Sequence, residues 1–144
     1  MNPGADFADH PARVLIVDDE RQNRQLLEVM LEPEGFQLTT AASGEEALAM
    51  VAAAPPDLIL LDIMMPGIDG YQVAGTIKGN LATRNIPVII ITGLDDNPST
   101  HVIGAGAEGF LAKPVDRAEL CTQVRNLLRP PRLRDRLLQV RPDA

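Results

Sequence analysis

The sequence is short of aromatic residues, of cysteine and of positive charge. It has no tryptophan, one tyrosine and three phenylalanines, so its core must be built from aliphatic side chains. Cys121 is the only cysteine, which excludes an intrachain disulfide, and His10 and His101 lie far apart, so no zinc-type spacing exists. A buried, inert thiol is the expected state of Cys121. Acids outnumber bases 20 to 13, and residues 1–129 alone hold 18 acids against 9 bases. That balance argues against direct binding of nucleic acid through a broad basic face. No apolar run approaches the roughly 20 residues of a membrane helix, and "MNPGADFADH" lacks the basic and apolar regions of a signal peptide. A soluble, cytoplasmic chain without a membrane partner is expected.

What is present is a regular alternation. Strand-like runs occur at "RVLIV" (13–17), "FQLTTA" (36–41), "DLILL" (57–61), "PVIIIT" (87–92) and "GFLA" (109–112). Between and after them lie segments with helical spacing: 21–32, 44–54, 70–81, a weaker 98–106, and 117–128. Ser43 with Glu46 and Asp116 with Glu119 fit capping boxes, and Asn97 before Pro98 fits an N-cap followed by a first-turn proline. Pro33 predicts that the first helix closes near Leu31, and Gly35 suits the stop. Runs of Val, Ile and Leu with little alternation imply strands buried on both faces, hence a doubly wound α/β fold with five parallel strands and helices on both sides. At 144 residues, one domain is expected over residues 12–129. Residues 1–11 are expected to be a disordered N-terminal segment, and 130–144 a tail or the start of a linker helix.

In such a sheet, ligands bind beyond the carboxyl ends of the strands. Asp18 and Asp19 follow "VLIV", and Asp62 follows "LILL". If the first and third strands are neighbours, these carboxylates meet. At about 5 Å each pair repels by roughly 1 kcal/mol in water and about 3 at an effective dielectric of 20, so a cation must offset them. Two candidates exist: a hard divalent ion such as Mg²⁺, which suits oxygen donors, and Lys113 at the end of the fifth run. Thr92 closes the fourth run with a hydroxyl at the same edge, and Gly93 leaves its approach open.

The order and spacing of "VDDE", "LLDIMMPGIDGYQV", "IIITG" and "GAEGFLAKPV", with 30 positions from Asp62 to Thr92 and 21 more to Lys113, resemble the CheY-like receiver domain of two-component response regulators. The resemblance covers roughly residues 12–129 and implies a flavodoxin-like sheet of order 2-1-3-4-5. It implies that Asp62 accepts a phosphoryl group from the phosphohistidine of a histidine kinase or phosphotransfer protein. Asp19, Asp62 and the Met64 carbonyl would ligate Mg²⁺, with Asp18 holding it through water, while Thr92 and Lys113 would contact phosphoryl oxygens. Phe110 would be, with Thr92, the aromatic switch position, although by default a phenylalanine here reads as partly core. Lys113-Pro114 would be a cis peptide. The side chains of Met64 and Leu94 would influence dephosphorylation, and both are apolar. Homodimerisation would use the face made by the fourth helix, fifth strand and fifth helix. On this reading the chain is a phosphoacceptor that assists its own phosphorylation and dephosphorylation, not an enzyme with a separate substrate.

Blander readings compete. "DDE" at 18–20 could merely start a helix and complement its dipole, and Asp69 before Gly70 reads as a turn or cap residue. "GAGAEG" (104–109) matches G-x-G-x-x-G, but it ends a helical stretch and precedes a strand, the reverse of a dinucleotide fingerprint. An aspartate-nucleophile phosphatase would want an acid two positions after Asp62, where Met64 stands. A receiver acting as a constitutive interaction module would have lost an acid, the acceptor or the lysine, and none is lost. A fragment of a longer regulator, lacking its output domain, is the remaining alternative.

Overall fold

A computed structural model describes residues 11–93 and 106–128. The expectations for the N-terminal segment, for Leu94, for the helix from Pro98 with its Asn97 cap, and for residues beyond Leu128 lie outside the described residues. The elements are β1 (Arg13–Val17), α1 (Arg21–Leu31), β2 (Gln37–Ala41), α2 (Gly44–Ala53), β3 (Leu58–Asp62), α3 (Gly70–Gly79), β4 (Val88–Thr92), β5 (Gly109–Ala112) and α4 (Arg117–Leu127). All strand pairs are parallel, in the order β2-β1-β3-β4-β5.

Alternate residues of each central strand enter different cores. Leu15, Val17, Ile59, Leu61 and Ile90 pack with Ala47 and Val51 of α2 and Val73 and Ile77 of α3. Val14, Ile16, Leu58, Leu60 and Ile89 pack with Leu27 and Leu31 of α1 and with Leu120 and Val124 of α4. Burial on both faces removes the usual polar alternation, and every residue of β3 and β4 is buried.

The helix ends follow the local chemistry. α1 closes at Leu31, a 3₁₀ turn over Glu32–Glu34 accommodates Pro33, and Gly35 at φ 83° provides the left-handed stop. Ser43 Oγ accepts from Glu46 N, but the Glu46 carboxylate reaches Ala42 N, one residue before the position a capping box requires. Asp116 accepts from Glu119 N without the reciprocal bond. The complete capping box is at Asp69, which exchanges hydrogen bonds of 2.9 Å with Gln72. No helix among the described residues is long and apolar enough to cross a membrane.

Candidate functional site: an acidic bowl at the carboxyl edge of the sheet

Strand register brings the predicted residues together. Val17 pairs with Leu61, Asp62 with Ile91, and Thr92 with Ala112. Asp18, Asp62, Thr92 and Lys113 therefore emerge side by side where four parallel strands end. Backbone bonds continue the ladder one step: Asp18 N donates to Ala41 O at 3.1 Å, Ile63 N to Ile91 O at 3.2 Å, and Lys113 N to Thr92 O at 2.8 Å. Lys113-Pro114 is cis.

Asp18, Asp62 and Thr92 are buried, Asp19 is exposed, and Lys113 is intermediate. One carboxylate oxygen from each of Asp18, Asp19 and Asp62 lies within 4.8 Å of the others. Lys113 Nζ stands 2.9 Å from Asp62 Oδ1. That contact is an ion pair off the line of a good hydrogen bond, because Oδ1 has no aligned donor among the described residues. The buried Thr92 Oγ1 likewise has no partner there.

The energetics follow from this crowding. Burial raises the Asp62 carboxyl to about 6, the Lys113 ammonium opposes the rise, and Asp18 and Asp19 add to it. Asp18 is also raised by burial, against the pull of the Glu20 backbone N–H, Lys113 and the Asn23 side chain. For Lys113, burial disfavours the ammonium, but Asp62, Asp18 and Glu20 outweigh it and the net shift is upward. One lysine does not neutralise three acids. An all-oxygen donor set with uncompensated negative charge and orphaned buried oxygens fits a hard divalent cation such as Mg²⁺.

Met64 lies two residues past the end of β3 and is 66% exposed. Phe110 is partly covered, at 44% exposed. The reason is topological, since β5 is the outer strand and has one neighbour. Asp18 does not cap α1; its Oδ1 accepts from Glu20 N at 2.9 Å, and α1 has no side-chain cap.

Sequence reasoning missed three supporting residues. The Asn23 side chain lies beside Asp18 and opposes the rise of its carboxyl, and Arg24 Nη1 donates to the Asp18 carbonyl at 2.8 Å. Both sit on α1, and the turn that folds the helix back over the strand end has no composition signal. Gly70 opens α3 against β3, where an added Cβ would lie 2.5 Å from the Asp62 carbonyl oxygen and 2.9 Å from Ile63 Cα. Its signal was legible: glycine in a helix is unfavourable and implies a close approach.

Most of the described chain is similar to known proteins. The sequence profile of the response regulator receiver domain matches residues 14–125. Response regulator PleD of Caulobacter vibrioides is 46% identical over 119 residues, covering 82% of this chain and 26% of PleD. Protein PilG of Pseudomonas aeruginosa is 37% identical over 111 residues, covering 75% of this chain and 81% of PilG. The response regulator TrrA of Thermotoga maritima, solved in complex with Mg²⁺-BeF, superposes with a TM-score of 0.73 at 35% identity over 81% of this chain and 98% of that one. The chain spans 26% of PleD and 48% of "Probable transcriptional regulator ycf27" of Cyanophora paradoxa, to which it is 39% identical. With the profile, the sheet order and the acidic bowl in agreement, the chain belongs to the response regulator receiver domain family of two-component systems.

Proposed function

We propose that this receiver takes a phosphoryl group from the phosphohistidine of a histidine kinase or phosphotransfer protein onto Asp62, and that the modified state alters partner binding. The observation that carries the reading is Asp62 itself: a carboxylate at the end of a fully buried strand, paired with one lysine and facing two more acids. A strand buried on both faces cannot swing, so the nucleophile is aimed before any donor arrives.

Asp19, Asp62 and the Met64 carbonyl would hold Mg²⁺, with Asp18 acting through water; when bound, the ion supplies charge neutralisation for an incoming phosphoryl group. The chain's own residues do the rest. An Asp62 carboxylate oxygen attacks phosphorus in line as the P–N bond to the donor imidazole breaks, and the imidazole leaves with the bond's electron pair and takes up a proton. Lys113 Nζ, already 2.9 Å from Asp62, and the unpartnered Thr92 hydroxyl are suited to receive the transferred oxygens. Recruiting Thr92 would shift the carboxyl end of β4, and Phe110 on the neighbouring strand would report the change through packing, since phenylalanine has no hydroxyl to bond. A groove of about 480 Å³ opens beside the bowl between α1 and the loop after β5, with apolar walls from Leu26, Leu27, Pro114 and Val115 and with Asp18 and Lys113 in its lining. Its place supports approach of a donor protein from that side.

The chain is read as cytoplasmic, without direct nucleic acid contact. Homodimerisation would use the side of the molecule that holds β5 and α4. Incubation with acetyl phosphate and Mg²⁺ followed by intact mass spectrometry tests the reading. One added phosphoryl mass is expected in the native chain and none in Asp62→Ala. Repeated turnover of a phosphomonoester, or equal labelling of both proteins, would refute it.

A further inference from the structure

Past Val17 the ladder of β1 ends, and the chain turns through Asp18, Asp19 and Glu20 before α1 begins at Arg21. Asp18 is held in this turn at three points. Its backbone N–H donates to Ala41 O at 3.1 Å, its Oδ1 accepts from Glu20 N at 2.9 Å, and its carbonyl accepts from Arg24 Nη1 at 2.8 Å. The last of these bonds comes from a side chain six residues on, in the first turn of α1, where Arg24 N is itself bonded to Glu20 O at 3.1 Å. Arg24 thus ties both ends of the turn to one residue.

The choice of acceptor is informative. Asp18 and Asp19 flank the peptide bond whose carbonyl Arg24 binds, and a guanidinium favours a carboxylate, which it can meet with two parallel N–H bonds. Among the described residues Arg24 nevertheless makes no ion pair. Its charge leaves free the oxygens that face the bowl, where one from each of Asp18, Asp19 and Asp62 lies within 4.8 Å of the others.

The three acids are not held equally well. Asp62 ends a strand buried on both faces, and the Asp18 carboxylate is bonded to Glu20 N. Asp19 is exposed, and among the described residues no hydrogen bond holds its carboxylate. Its position is set by the peptide that joins it to Asp18, which is the peptide Arg24 grips.

We propose that Arg24 is a positioning residue of the metal site: by binding the Asp18 carbonyl it fixes the following peptide, and with it the Asp19 carboxylate, where a divalent ion requires it. The inference rests on the reading that Asp18, Asp19 and Asp62 hold Mg²⁺. Positioning and charge act here with opposite signs. As a nearby cation Arg24 repels a divalent ion, so its removal would tighten binding if charge were all it supplied. As a group that orients a ligand it strengthens binding, so its removal weakens it. Mg²⁺ also demands a closer approach to octahedral geometry than Ca²⁺, so a displaced carboxylate costs Mg²⁺ more.

Titration of the ¹⁵N-labelled full chain with Mg²⁺ and with Ca²⁺, followed through the amide resonances around the bowl, tests both consequences. In Arg24→Met the dissociation constant for Mg²⁺ is expected to rise about 10-fold, and that for Ca²⁺ by less. Arg24→Lys keeps the charge and a donor and is expected to recover part of the affinity. Arg24→Gln, neutral and polar, repeats the test should methionine disturb folding. A merely structural role would lower Tm and leave the ratio of Mg²⁺ to Ca²⁺ affinity as it is in the native chain. Unchanged or tighter Mg²⁺ binding in the neutral variants, or equal losses for the two ions, would overturn the proposal. A native chain that responds to neither ion would overturn the metal site itself, and the role of Arg24 with it.

Discussion

Two lysine–carboxylate pairs lie at opposite edges of the sheet, and they are built differently. At the amino edge, Lys78 Nζ donates to Arg84 O at 3.1 Å, to Ile86 O at 2.6 Å and to Glu108 Oε2 at 2.6 Å. Glu108 Oε1 in turn accepts from Val88 N at 2.8 Å. This network ties the end of α3 to the starts of β4 and β5. At the carboxyl edge, among the described residues, Lys113 faces Asp62 without an aligned hydrogen bond, Thr92 Oγ1 lacks a partner, and two further acids crowd the pair. A saturated pair holds structure, whereas an unsaturated buried one keeps donor and acceptor capacity in reserve for something that arrives.

Replacing each lysine by methionine should separate the two roles. Lys113→Met is expected to slow phosphorylation from acetyl phosphate by about 10²–10³-fold, as for loss of one preorganised charge donor, with little change in Tm. A rate within a few fold of native would erase the distinction between the pairs.

Next in size is the stability hidden in Asp62. Its carboxyl titrates near 6 in the folded chain against an ordinary 3.8. The folded state therefore holds that proton more tightly than the unfolded state. Stability is lost as pH rises from about 4 to 6, and the loss is complete above 6. Asp62→Asn is expected to be more stable than native at pH 7 without Mg²⁺, by on the order of 1–3 kcal/mol. That advantage should vanish below pH 4. Chemical denaturation at pH 3.5 and 7 measures both ends, and adding Mg²⁺ should narrow the gap at pH 7.

Lys78→Met should cost about 2 kcal/mol, between the values for an exposed pair and a fully buried one, because Glu108 and two carbonyls lose their partner. Phosphorylation should continue at a near-native rate. Denaturation midpoints and labelling rates on the same preparation decide this. The smallest effect is expected two residues past the acceptor: Met64→Asn should shorten the phosphorylated lifetime several-fold, by replacing an exposed apolar side chain with one that can hold water. A native lifetime of seconds that does not change in the variant would contradict that.

The comparison also marks where the sequence was readable. β1, β3 and β4 are buried on both faces, so their apolar runs stand out, and the acids at their ends could be placed by counting. Asp69 was readable as a cap because its partner Gln72 is three residues away. The Lys78–Glu108 pair was not readable: 30 residues separate the partners, and either residue alone looks like ordinary surface charge. Asn23 and Arg24 were missed because their contacts depend on how α1 returns over Asp18. The partial exposure of Phe110 follows from the place of β5 as the last strand in the order β2-β1-β3-β4-β5.

The central claim concerns which oxygen receives the phosphoryl group, and it can be read directly. After treatment with acetyl phosphate and Mg²⁺, borohydride reduction converts an aspartyl phosphate to homoserine, and peptide mass spectrometry locates it. Homoserine at position 62 and nowhere else is the predicted result. Homoserine at Asp18, Asp19 or another carboxylate, or a fully aspartate position 62 after labelling, would contradict the account.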